Sequence, residues 1–355
     1  MLDQPKAWSD IIRAAAASGE PLRIQGGGSK TFYGRPYVGA PLDTVPYQGI
    51  ISYEPTELVL TARAGTSLAA LEATLAEQGQ MLGFEPPHFS VNTTLGGAIA
   101  AGLSGPRRPH VGSARDFVLG MRILDGQGTD LTFGGQVMKN VAGYDVSRLM
   151  TGALGTLGVI LEVSVKTLPR PVCERTQVLE QTAGSALALM QQWAGRSLPV
   201  SGTCMIDNRL YCRLSGAPSA VAAAAAAIGG ETIAADHEFW AALRDHRHAF
   251  FSAPAKQMPL WRISLKPTAP PLASAEAECI EWGGALRWLR SDLAPETIRA
   301  LAQQYQGHAT YIGGGNPPDQ IFQPLAPALL QLHRRVKQAM DPAGILNRHR
   351  LYPDF

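Results

Sequence analysis

Residues 93–120 read TTLGGAIAAGLSGPRRPHVGSARDFVLG, and almost nothing in the first half of that stretch carries a large side chain. Gly96-Gly97 is followed by Ala98, Ile99, Ala100, Ala101, Gly102, Leu103, Ser104 and Gly105. On a helical path Gly97, Ala101 and either Ser104 or Gly105 share one side, and Ala98 and Gly102 another. So bare a segment can lie against something large and flat, with backbone N–H groups facing it. Close packing of helix on helix uses the same residues, and this stretch alone leaves both readings open. Two further glycine-rich stretches, one before it and one after it, favour the first.

At 355 residues the chain is long for one core, so two domains are expected. A net charge of +2 gives no argument for nucleic acid. Cys173, Cys204, Cys212 and Cys279 stand far apart without a CxxC spacing, so neither a zinc ribbon nor a ferredoxin-type cluster is supported. A thiol-reducing cytoplasm fits that usage. The opening MLDQPKAWSDIIRAAAASG has Asp3 and Asp10 early and no unbroken apolar core, unlike a signal peptide. The longest apolar run, Val221 to Ile228, is mostly alanine and far short of the roughly 18–20 residues of a membrane span. The expectation is a soluble chain, able to dock on a membrane-attached partner.

A helix is expected over 6–18 and a short strand over LRIQ (22–25). Gly26-Gly27-Gly28-Ser29-Lys30 follows at once, a loop whose N–H groups can converge on an anion. It is neither a Walker A loop nor a GxGxxG turn into a helix, because Phe32, Tyr33, Gly34, Arg35 and Pro36 break one. A plain glycine turn is the competing reading. IISY (50–53) and LVLTARAG (58–65) read as strands. A helix over 67–78, capped by Thr66 or Ser67, buries Leu68, Leu71 and Leu75. In GFEPPHF (83–89), Pro86-Pro87 fixes an extended stretch and His88 is more simply structural than catalytic. Arg107, Arg108, His110 and Arg115 could neutralise a diphosphate or be ordinary surface charges. FVLGMRIL (117–124) and TDLTF (129–133) make a hairpin about Asp125-Gly126. A helix over 144–151 leads to Gly152, Gly155 and Gly158, and a strand over 159–168 alternates Val159, Leu161, Val163 and Val165 with Glu162, Ser164 and Lys166.

Beyond residue 172 the glycine loops give way to a second α+β domain on an antiparallel sheet, suited to a lid over the first. His246 and His248 resemble a metal pair, but i and i+2 do not share a helix face and no third ligand is near in sequence. Arg262, between Trp261 and Ile263, could clamp a carboxylate or form a structural ion pair. The end, VKQAMDPAGILNRHRLYPDF, turns at Asp341-Pro342-Ala343-Gly344 and runs out extended, as if packing back on the first domain.

PPHFSVNTTLGGAIAAGLSGPRRPHVGSARDFVLGMRILDGQG, with GGQVMKNVAGYDVSRLMTGALGTLGVI, closely resembles the FAD-binding subunits of bacterial glycolate oxidases. These belong to the vanillyl-alcohol-oxidase, or PCMH-type, flavoproteins. The match runs over essentially the whole chain, with residues 82–160 its specific part. GGGSK fits the family's first diphosphate loop and DPAGILN its C-terminal tail. The resemblance implies an α+β fold: a two-lobed FAD-binding domain over 1–170, an inserted antiparallel α+β cap over 171–325, and a tail over 326–355 returning to the first. It implies that Gly26, Gly27, Gly28, Ser29 and Lys30 hold the diphosphate, and that Pro86, Thr94, Gly96, Gly97, Ala101, Ser104 and Gly105 line the flavin. Gly155, Thr156, Gly158 and Ile160 would reach the adenosine end, with Lys139, Asn140 and Tyr144 near the isoalloxazine or its phosphates.

Relatives that bind flavin covalently offer a His or Cys at the diphosphate loop or in the cap; here the loop has Ser29 and Lys30, so non-covalent FAD is expected. HATYIGGGN (308–316) resembles a worn version of the cap's histidine-rich metal site, without its second histidine and acidic ligand, and no metal is expected. The implied activity is oxidation of glycolate to glyoxylate in a complex, with electrons passing to a homologous flavin subunit and an iron–sulfur subunit. The implied location is cytoplasmic, with peripheral attachment to the inner membrane through the complex as an option. Two other readings stand beside it. One is a stand-alone FAD-dependent 2-hydroxy-acid dehydrogenase using Arg262, His308 and Tyr311; the other is a non-catalytic assembly subunit in which FAD only stabilises the fold. A nicotinamide-linked flavin reductase of cell-wall synthesis shares the fold but finds no convincing nicotinamide site or serine acid here.

Overall fold

The computed structural model describes residues 3–135, 144–233, 236–252, 258–272 and 277–355. These form two compact units. The first comprises Met1–Leu103, Ser113–Pro169 and Pro324–Phe355; the second comprises Ser104–Gly112 and Arg170–Gln323. Among the described residues no helix is long and apolar enough to cross a membrane.

The first unit begins with the helix Gln4–Ser18, capped by the Asp3 side chain and ended by Gly19. Its apolar residues Trp8, Ile12 and Ala15 recur at helical spacing and enter a core with Leu22, Leu42, Leu124, Val159, Leu161, Ile345 and Leu346. Leu22–Gln25 pairs in parallel with Ala40–Asp43. Leu22 also bridges in parallel to Leu346, so the C-terminal tail flanks this strand on its other side.

Among the described residues the first unit also holds a five-stranded antiparallel sheet, in the order Ile50–Glu54, Val59–Arg63, Val159–Lys166, Val118–Leu124, Asp130–Gly134. The expected alternation of Val159–Lys166 holds on its apolar side, but Ser164 is also buried. It can be, because Thr61 lies directly opposite and the two hydroxyls hydrogen-bond at 2.8 Å. The helix Leu68–Glu77 is capped by Ser67 and buries Leu68, Leu71 and Leu75.

The helix in the small-residue stretch is shorter than its pattern suggests. It runs Leu95–Ala101 and stops where Gly102 turns left-handed at φ 63°. The chain then enters the second unit, so Ser104 and Gly105 do not continue the helical face.

Among the described residues the second unit is built on an eight-stranded antiparallel sheet. Its order is Glu231–Thr232, Cys173–Glu180, Arg209–Gly216, Val200–Ile206, Ala277–Glu281, Leu286–Arg290, Leu260–Ser264, His308–Gly313. The helices Ala183–Ala194, Pro218–Ile228 and Pro295–Gln304 bury Met190, Trp193, Val221, Ile298 and Ala302 in the cores of one face. Arg107 belongs here: its Nη2 donates to Glu174 Oε1 at 2.6 Å and its Nη1 to Ser215 Oγ at 3.3 Å. A side chain that could have met a diphosphate is therefore spent on an internal ion pair.

Candidate functional site

In the first unit the three glycine-rich stretches meet. A cleft of about 750 Å3, counting the part open to solvent, has Gly26 to Thr31 on one wall and Gly96, Gly97, Ala100 and Ala101 on another. Leu154, Gly155, Gly158 and Ile160 form a third, and Asn347 and Arg350 are among the other residues that line the cleft.

Local chemistry explains two of these walls. Thr94 caps its helix by accepting from Gly97 N–H at 3.2 Å, which orients the side-chain-poor face. The glycine loop is tied down by Thr93, whose hydroxyl donates to Ser29 Oγ at 2.8 Å. Lys30 is buried; its Nζ donates to Ser29 Oγ at 3.2 Å and lies 5.4 Å from the centre of the Phe89 ring. A loop of successive N–H groups with a hydroxyl and an ammonium suits an anion. A neighbouring wall with no side chain beyond Cβ suits a flat, uncharged group. The residues present therefore fit a dinucleotide.

Of the residues singled out from the sequence, Gly26, Gly27, Gly28, Ser29, Lys30, Thr94, Gly96, Gly97, Ala101, Gly155, Gly158 and Ile160 line this cleft. Others do not. Pro86 is buried elsewhere. Thr156 is fully buried, its hydroxyl donating to Ala153 O at 2.7 Å and its carbonyl accepting from Lys337 Nζ at 2.7 Å. Ser104 and Gly105 lie in the second unit. Tyr144 is 93% exposed. Lys139 and Asn140 fall outside the described residues. Arg115 donates to Thr151 O at 3.4 Å, away from the cleft, and His88 Nε2 is 3.1 Å from Glu72 Oε2. Sequence reading missed Asn347 and Arg350. Only the well-specified DPAGILN turn hinted that the tail returns here.

In the second unit, the pairing places Arg262 opposite Thr310 and Ser264 opposite His308. Arg262 and His308 are therefore diagonal neighbours on one sheet face. Tyr311 lies opposite Trp261, in the core of the other face, and its hydroxyl donates to Gly314 O at 2.5 Å. The expected trio is thus a pair. Trp282, which the sequence reading passed over, joins it: Arg262 lies 5.1 Å and Arg108 4.3 Å from its ring centre. Its indole N–H donates to Gly105 O at 3.1 Å. Crowding by protein, with Arg262 and Arg108 nearby, holds the His308 imidazole below its ordinary value.

The structure gives His246 and His248 different partners. His246 stacks on Phe251 with ring centres 4.3 Å apart, and His248 Nδ1 accepts from Phe250 N–H at 3.3 Å. Burial pulls His246 from 6.5 to about 3. The unfolded chain therefore binds the extra proton between those values, and stability falls as pH drops through that window. The limiting slope is about 1.4 kcal/mol per pH unit, reduced where solvent reaches the ring. Replacing His246 by asparagine, which tolerates the local φ of 55°, is expected to flatten the acid limb of a denaturation-versus-pH curve. An unchanged limb would contradict this.

Comparison with known proteins bears on the same residues. The model of the FAD binding domain family matches residues 2–134. The glycolate oxidase subunit GlcE of Escherichia coli (strain K12) is 46% identical over 353 residues, covering 99% of each chain. The chain belongs to the GlcE family. Beyond GlcE, the glycolate oxidase subunit GlcD of Bacillus subtilis (strain 168) is 35% identical over 118 residues, 33% of this chain and 25% of GlcD. Among solved structures, an alkyldihydroxyacetonephosphate synthase superposes with a TM-score of 0.67 at 15% identity. That alignment covers 96% of this GlcE-family chain and 75% of the synthase, and it fixes the fold class. The cofactor of this GlcE-family chain is FAD.

Proposed function

We propose that this chain is the FAD-carrying subunit of a complex that oxidises glycolate to glyoxylate. The observation that carries the proposal is the 46% identity to GlcE across 99% of both chains; the glycine-lined cleft supports it by offering the cofactor a place. In this reading residues 1–170 with the 326–355 tail bind FAD and residues 171–325 form the substrate-side cap. Gly26 to Lys30 receive the diphosphate through backbone N–H groups, the Ser29 hydroxyl and the Lys30 ammonium. Thr94, Gly96, Gly97 and Ala101 lie along the ring system, and Gly155, Gly158 and Ile160 along the adenosine end. FAD, when bound, supplies the acceptor for the two electrons that glycolate gives up.

Arg262, with Arg108 on the same indole, is suited to hold a carboxylate. His308, kept neutral, is suited to accept the proton of the substrate hydroxyl. Tyr311 has no such role, since it faces the other side of the sheet. Partners that accept the electrons are a homologous flavin subunit and an iron–sulfur subunit. Ser29 and Lys30 leave the FAD non-covalent.

The test is affinity purification of the tagged chain from its native cell, with an optical spectrum and a glycolate-dependent dye assay. The expected eluate is yellow, gives up all its flavin on acid precipitation, contains both partners and turns over glycolate. A colourless chain would sink the cofactor assignment. Steady glycolate turnover by the isolated chain would move it to a stand-alone dehydrogenase, a reading that the Arg262–His308 pair favours. An active complex built on a chain unable to hold FAD would make it an assembly subunit.

A further inference from the structure

We infer that Asn347 is the positioning residue that sets the spacing of the cofactor cleft, and through that spacing the affinity for FAD. This rests on the FAD reading above. Asn347 is 3% exposed and lines the cleft. Its Oδ1 accepts from Ile24 N–H at 2.7 Å, on the strand that leads into the glycine loop. Its Nδ2 donates to Leu154 O at 2.7 Å, on the opposite glycine turn. One side-chain amide thus bridges two walls that are otherwise far apart in sequence.

The surroundings are built for that bridge. Asn347 sits at a φ of 40°, which asparagine tolerates better than most residues. A Cβ on Gly155 would lie 2.6 Å from Asn347 Nδ2, so that glycine makes room for the amide as well as for any ligand. Asn347 N–H donates to Leu22 O at 3.0 Å, registering the tail on the same strand. Three residues on, the Arg350 guanidinium donates to the carbonyls of Lys30 at 3.3 Å, Thr31 at 3.0 Å and Tyr33 at 2.7 Å. The tail therefore fixes the strand before the loop, the far end of the loop and the facing turn together.

The experiment is fluorescence titration of FAD into flavin-stripped full-length chain, with the melting temperature of each stripped variant recorded alongside. Asn347→Ala removes both bonds and leaves Ile24 N–H and Leu154 C=O unpaired; FAD affinity should fall about tenfold or more. Asp341→Asn is the control, since it loosens the same tail at a turn outside the cleft. Asn347→Asp keeps the acceptor for Ile24 N–H and loses the donor to Leu154 O. Its affinity relative to wild type should recover as pH falls and the carboxyl regains a proton to donate. This variant carries the test if Asn347→Ala does not fold. Affinities for Asn347→Ala within about twofold of Asp341→Asn, or a flat pH dependence for Asn347→Asp, would overturn the inference while leaving the FAD reading intact. A wild-type chain that takes up no FAD would instead end the FAD reading.

Discussion

Replacing Lys337 by methionine should destabilise the first unit by about 3–5 kcal/mol, the usual consequence of stripping one partner from a buried ion pair. Lys337 and Asp341 are 5% and 1% exposed. The ammonium donates to Asp341 Oδ2 at 2.6 Å, Thr156 O at 2.7 Å and Leu346 O at 2.9 Å. Methionine fills a similar volume but leaves a carboxylate and two carbonyls without that donor. A second replacement, Asp341→Leu, is not expected to restore stability. Asp341 also accepts from Ile345 N–H at 3.2 Å and Leu346 N–H at 2.8 Å, so removing it orphans two backbone groups. Urea denaturation of the single and double variants reads both effects. A loss below about 1 kcal/mol for Lys337→Met would mean the clasp is not what holds the tail.

The second large effect falls on the loop. A Cβ on Gly27 would collide with the backbone carbonyl oxygen of Asn92 and sit 2.6 Å from its carbonyl carbon. Neither atom is the end of a flexible side chain, so the loop or the 90–93 turn must move, and Thr93–Ser29 ties those two segments together. Overpacking of this kind costs about 1–3 kcal/mol, and if it falls on binding, FAD affinity drops roughly 5- to 150-fold. Gly184, with nothing within 4 Å of its Cβ position, is the matched control. The flavin-to-protein absorbance ratio of purified Gly27→Ala against Gly184→Ala reads the difference. Equal ratios would show that the Gly27–Asn92 approach is not needed for the cofactor.

How much of this was legible in the residues depends on range. Leu68, Leu71 and Leu75, or Trp8, Ile12 and Ala15, announce their helices because burial at helical spacing is a local pattern. The cleft was legible as well, since glycines in three places are a compositional signal. The end of the central helix was not. Small residues continue to Gly105, and nothing in the composition says that Gly102 will turn left-handed. Arg107 has the charge of a phosphate ligand, but its partner Glu174 lies 67 residues on. Ser164 alternates with the apolar residues of its strand, and its burial depends on Thr61, which lies 103 residues earlier across the ladder. Asn347 is the extreme case: a single amide in a polar tail, whose partner Ile24 is 323 residues earlier.

That separation has a consequence for biogenesis. The strand Leu22–Gln25 and its glycine loop leave the ribosome with one neighbour, Ala40–Asp43, soon available, while the other, at Leu346, has yet to be translated. Until the message has been read almost to residue 350, the pocket lacks a side, and the growing polypeptide has to stay unaggregated with that flank bare. The complete set of cleft-lining residues therefore exists only once Asn347 and Arg350 have been made.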